Sequence, residues 1–178
     1  MEDLDRAVRT VVERCLAVGA GDNVLVVADP GNLELGDALM HAARAAGGDA
    51  VLTILPPQPS RGTEPPPTVA AAFAAADVFI APCMPSLSHT SARKRASEAG
   101  VRGATMPGVT GDLLARLMSA DFDAMSARCH AVADLLSGAD EAHVTCPRGT
   151  DIRFGLSGRA AIPDHRRTVG RTRTQPRD

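Results

Sequence analysis

Aromatic side chains are nearly absent: the 178 residues contain four Phe, no Trp and no Tyr. Single-stranded nucleic-acid platforms stack bases on aromatic rings, so that class of function has almost nothing to work with here. Lysine is reduced to one residue, Lys94, among 19 basic residues, and the formal net charge is −2. Overall charge therefore does not drive binding to nucleic acid. No apolar run approaches the 18 or more residues of a membrane span, and the N-terminus MEDLDRAVRTVVERC lacks the basic start and apolar stretch of a signal peptide. The four cysteines, Cys15, Cys83, Cys129 and Cys146, form no C-x-x-C pair. They fit neither a disulfide framework nor a zinc site and read as reduced, small hydrophobes of a cytoplasmic protein.

Hydrophobic residues make up 44% of the chain and charged residues 22%, close to the globular average. Apolar positions from Leu4 to Val18 recur at three-to-four spacing, which predicts an amphipathic helix closed by Gly19. The continuous run Asn23–Ala28 predicts a strand buried on both faces, followed by a turn that Asp29 caps. A helix over Leu33–Ala46 and a second buried strand over Ala50–Leu55 complete a strand–helix–strand unit.

Six prolines between Pro56 and Pro67 exclude both helix and strand and predict an ordered loop or flap. Thr68 is expected to cap a helix over Val69–Ala75, followed by a strand over Val78–Ala81, a helix over Ser88–Ala99 and a strand over Val101–Thr105. Helices over Thr110–Met118 and Phe122–Leu136 follow. Beyond Gly138, two strands over Ala142–Cys146 and Asp151–Leu156 around Pro147–Thr150 predict an antiparallel hairpin. The expected fold is therefore α/β: a Rossmann-like, doubly wound, mainly parallel sheet with flanking helices and a C-terminal β-hairpin. The expected organisation is an α/β domain over 1–138, a hairpin over 139–163 leading toward a further domain, and a disordered basic tail over 164–178. That tail carries five Arg, two Asp and a single apolar residue, Val169.

Open parallel sheets bind ligands beyond the carboxyl ends of their strands, so the segments there are the candidate sites. Asp29-Pro30-Gly31-Asn32 lacks the G-x-G-x-x-G pattern, and G-x-x-x-x-G-K is absent, so no cofactor-binding residue is assigned. Ser86-Leu87-Ser88-His89-Thr90 places a histidine and three hydroxyls at a helix start, where free amides and the helix dipole favour an anion. A neutral imidazole there can take or give a proton, which makes His89 the candidate catalytic residue. The plainer alternative has Ser88 capping the helix and His89 as an ordinary surface residue. His41, His130, His143 and His165 show no ligand spacing, so no metal-ligating residue is assigned.

Four segments taken in order resemble one known family. They are Gly21–Val26 (GDNVLV), Gly62–Pro66 (GTEPP), Ser86–Thr90 (SLSHT) with Ala92-Arg93, and Thr105–Thr110 (TMPGVT). Between Leu4 and Ile162 the chain resembles the N-terminal half of the leucyl aminopeptidases of the aminopeptidase T (thermophilic metalloprotease) family, whose fold also serves the dihydroxypyridine ring-opening dioxygenases. The resemblance implies a metal-dependent hydrolase, or a ring-opening dioxygenase, whose α/β domain walls a cavity for a small-molecule or peptide substrate. It implies a divalent metal (zinc, cobalt, manganese or iron) held by a C-terminal domain, no cofactor in this chain, and His89 approaching the substrate. The departure from the family pattern near Asp164 leads to the expectation of a chain truncated there, naturally or by a frameshift, and inactive in isolation; no nucleic-acid or membrane partner and a possible homo-oligomer are expected. The alternative is a stand-alone Rossmann-like module that binds an anionic small molecule or a protein partner.

Overall fold

In a computed structural model, residues 2–56, 60, 62–84 and 86–163 are described. Helix α1 spans Glu2–Arg9, with Glu2, Asp3 and Asp5 in its first turn, where negative charge complements the helix dipole. It continues as a π-helical segment over Thr10–Cys15. The chain leaves that segment at Ala17, whose φ of 49° is the left-handed conformation that glycine was expected to supply at position 19. The bonds Leu16 N–H to Val11 O and Val18 N–H to Val12 O close the segment before Gly19 is reached.

Strands β1 (Asn23–Ala28), β2 (Asp49–Ile54), β3 (Val78–Ala81) and β4 (Arg102–Thr105) form one parallel sheet in the order β2-β1-β3-β4. Helices α2 (Leu33–Ala45), α3 (Pro67–Ala75), α4 (Ser91–Glu98) and α5 (Gly111–Leu117) connect and flank it. Two apolar layers sandwich the sheet. Val24, Val26, Val78 and Ile80 pack on one face with Val8, Val12, Leu39 and Leu114, while Leu25, Val27 and Phe79 pack on the other with Val69, Phe73 and Ala96. Burying each Val or Ile of the central strands contributes about 1.5–3 kcal/mol, so β1 and β3 form the stable centre. The doubly wound arrangement expected from the sequence is the one observed.

Several boundaries differ, each for a local reason. Strand β2 was expected to be buried like β1, but it lies at the sheet edge with Val51 and Ile54 exposed and only Ala50 buried. Thr68 does not cap α3; Pro67 stands at the first helical position, where its missing N–H costs nothing. Helix α4 starts three residues later than expected, because Thr90 rather than Ser88 is its cap: the Thr90 hydroxyl accepts from the Arg93 amide at 3.3 Å.

Two compact units divide the chain after Ser119, the first comprising the sheet and α1 to α5. Helix α6 (Phe122–Ser137), which the sequence reading groups with the sheet, lies instead in the unit of the hairpin. The hairpin is antiparallel, β5 (Glu141–Thr145) on β6 (Asp151–Gly155). One of its faces carries the pair His143–Asp151 and the pair Glu141–Arg153. The other carries Val144, Ile152 and Phe154, all about half exposed. The tail expected over 164–178 lies outside the described residues. No helix among the described residues is long and apolar enough to cross a membrane.

Candidate functional site

The sheet order reverses between β1 and β3, and a crevice opens beyond the carboxyl ends of β3 and β4. Asp29, at the end of β1, holds this region together. Its Oδ1 accepts the amides of Gly31 at 2.8 Å and Asn32 at 3.2 Å, and its Oδ2 accepts the amide of Met84 in the loop after β3. The carboxylate is almost wholly buried, and three charge-assisted bonds offset the desolvation. Cys83 sits against it, fully buried. Burial first, and then the Asp29 charge, push its thiol up to about 11.

The crevice has a volume of about 530 Å³. Its walls are Met84, Ser86, Ser88 and His89 after β3, Pro107 and Gly108 after β4, and Gly62 from the proline-rich loop. Among the described residues no Lys, Arg, Asp or Glu lines it. Gly62 and Gly108 both adopt positive φ, 76° and 74°, which lets each loop turn back beside the cleft. The Gly62 amide donates to Ser86 O at 3.4 Å, tying the proline-rich loop to the opposite wall.

His89 is exposed at the cleft, and among the described residues its ring makes no hydrogen bond. It is free to meet a ligand. Beside it the hydroxyls are linked: Ser86 donates to Ser88 Oγ at 2.8 Å, and Ser88 Oγ lies 2.7 Å from Thr105 Oγ1. Arg93 does not enter the cleft wall; its Nη2 donates to Ser88 O at 2.6 Å and steadies the loop that carries His89.

The anion site expected at the start of α4 is already filled. Glu64, 27 residues upstream, accepts the amide of Ser91 and, at 3.1 Å, that of Ala92. The Ser91 amide is the chief cause that holds the Glu64 carboxyl below its ordinary value. A loop carboxylate therefore takes the place of an external anion. In the sequence, Glu64 and Thr105 stand out only as parts of the GTEPP and TMPGVT segments. The cue for Thr105 was a hydroxyl residue at the carboxyl end of a strand; nothing local indicated Glu64.

No group of three or more His, Cys, Asp or Glu among the described residues could hold a metal ion. The carboxylates of Asp29 and Glu64, which bind the segment after β3 through the amides of Met84, Ser91 and Ala92, are occupied by backbone amides. The described residues therefore do not fit the divalent metal that the resemblance implies.

Residues 3–172 match the sequence family described as 2,5-dihydroxypyridine 5,6-dioxygenase, NicX. The chain belongs to that family. Among solved structures it is similar to 2,5-dihydroxypyridine dioxygenase from Pseudomonas putida KT2440, with TM-score 0.65 and 21% identity over 85% of this chain and 46% of that one. It is also similar to wild-type AmpT from Thermus thermophilus, with TM-score 0.56 and 16% identity over 86% of this chain and 53% of that one. At these identities the likeness is one of fold, and this chain spans about half the length of either structure. No curated protein sequence matches. The aminopeptidase T and dioxygenase resemblance read from the four motifs thus agrees with the family and the fold.

Proposed function

We propose that this chain forms the wall of the substrate cleft of a dioxygenase-like or aminopeptidase T-like metalloenzyme, with His89 as the residue that takes or gives a proton. One observation carries the reading: an imidazole with no hydrogen-bond partner among the described residues lies exposed on the wall of a crevice beyond the carboxyl ends of β3 and β4 in a doubly wound sheet. Membership of the dihydroxypyridine dioxygenase family and the likeness to a second enzyme of the same fold support it. The alternative of an anion-binding module is less well served. The α4 amides are taken by Glu64, and among the described residues no cationic side chain lines the cleft.

The substrate in this reading is a small molecule or the end of a peptide, and the metal is held by residues other than those described here. The chain alone is then inactive. Purified protein supplied with zinc, cobalt, manganese or ferrous iron is expected to show no hydrolysis of aminoacyl substrates and no opening of 2,5-dihydroxypyridine above a buffer control. Metal-dependent turnover lost on His89→Ala would overturn the incompleteness while keeping the site. Turnover that His89→Ala leaves untouched would overturn both.

A further inference from the structure

The hydroxyls of Ser86, Ser88 and Thr105 form a chain whose proton order can be worked out. The Ser88 amide donates to Ser86 Oγ at 3.1 Å, and the Ser86 hydroxyl donates to Ser88 Oγ at 2.8 Å. A hydroxyl owns one proton and two lone pairs. Ser86 has spent its proton on Ser88. Between Ser88 and Thr105, 2.7 Å apart, either oxygen can donate. Head-to-tail order, in which each link accepts once and donates once, polarises the chain cooperatively, so Ser88 donates and Thr105 accepts.

The consequence falls on the cleft. Ser86 and Ser88 both line it, and in this order each presents a lone pair and no free proton. Among the described residues the wall offers acceptors beside His89, and neither a cation nor a carboxylate lines it. The matching ligand group carries a donor. We propose that Ser86 and Ser88 are specificity-determining residues that receive an O–H or N–H group of a small molecule, and that Thr105 is the positioning residue that keeps their protons turned away from it. This inference rests on the reading of the cleft as a ligand site.

The test follows the His89 ring resonances of the full chain by NMR while it is titrated with 2,5-dihydroxypyridine or with 2,5-dimethoxypyridine, which keeps the ring and oxygens but lacks the donors. The dihydroxy compound is expected to bind about tenfold more tightly, near the upper end of what one net hydrogen bond contributes. Ser88→Ala and Thr105→Val should reduce that ratio to below about threefold, the second because Ser88, deprived of its acceptor, turns its proton to the cleft. Thr105→Ser restores the acceptor and should keep the wild-type ratio. A role of Thr105 in packing alone would not separate Val from Ser in this way. If Thr105→Val fails to fold, Ser86→Ala and Ser88→Ala carry the test by the same ratio. Equal affinity of the two compounds for the wild type, or an unchanged ratio in the serine variants, overturns the inference and leaves the cleft reading standing. If neither compound moves the His89 resonances, the cleft reading fails and the inference with it.

Discussion

Gly103 is the point at which the stability of the sheet and the geometry of the cleft meet. It lies in β4 opposite Phe79 of β3, and a Cβ added to it would stand 2.4 Å from one ring carbon and 2.5 Å from two others. Ordinary carbon contacts are about 3.5–4.0 Å, so the ring or the strand would have to move by more than about 1 Å. The ring has nowhere to go: it is 2% exposed and stands edge-on to Phe73 with centroids 5.0 Å apart. The strand is held by its ladder to β3. Gly103→Ala should therefore fall at the upper end of overpacking costs, about 3 kcal/mol. In urea, at a slope of about 2 kcal/mol per M, the midpoint drops by about 1.5 M with the slope unchanged.

Phe79→Leu in the same background should recover part of the loss, leaving the pair less than additive by about 1 kcal/mol or more. Residues two apart on a strand share a face, so the strain also reaches Thr105 and should weaken the preference for the dihydroxy compound. A loss below about 0.5 kcal/mol, with the double variant additive, would refute the close-approach argument.

Three other perturbations test the site region. Asp29→Ala strands three backbone amides at the end of β1 and β3 and should cost about 2–4 kcal/mol in chemical denaturation, whereas a loss below about 0.5 kcal/mol would show that the carboxylate is not the tie described here. The Glu64 carboxyl is depressed in the fold, so its contribution is present above its ordinary value of 4.5 and is lost as pH falls through the lower folded value; the gap in melting temperature between wild type and Glu64→Ala should be open at pH 7 and close on acidification, and a gap independent of pH would contradict the cap. Thiol labelling at pH 8 should find Cys146 first and Cys83 last, because Cys146 is exposed and the Thr150 hydroxyl, followed by the amides of Thr150 and Arg148, lowers its thiol, while Cys83 is buried with its thiol at about 11; early labelling of Cys83 by mass spectrometry would contradict its placement.

How much of this was legible in the chain depends on the range of the interaction involved. The run NVLVVA and the periodic apolar positions of Leu33–Ala45 are local patterns that burial reads directly, so β1, α2 and the parallel doubly wound class follow from sequence. The motif SLSHT placed His89 at a strand end for the same reason. The partners of those residues were out of reach. Nothing near Ser88 shows that Thr105, 17 residues on, will accept its hydroxyl bond, or that Glu64, 27 residues before Ser91, will fill the α4 amides. Strand order decides these, because β4 must lie beside β3 before Thr105 can meet Ser88, and pairing across a sheet is not encoded in a local period. The same is true of β2: its apolar run reads as buried, and only its place at the edge leaves Val51 exposed. Composition and periodicity decide which segments become strands and helices. The sheet order decides which side chains meet, and so brings the Thr105 hydroxyl to those of Ser86 and Ser88 beside His89.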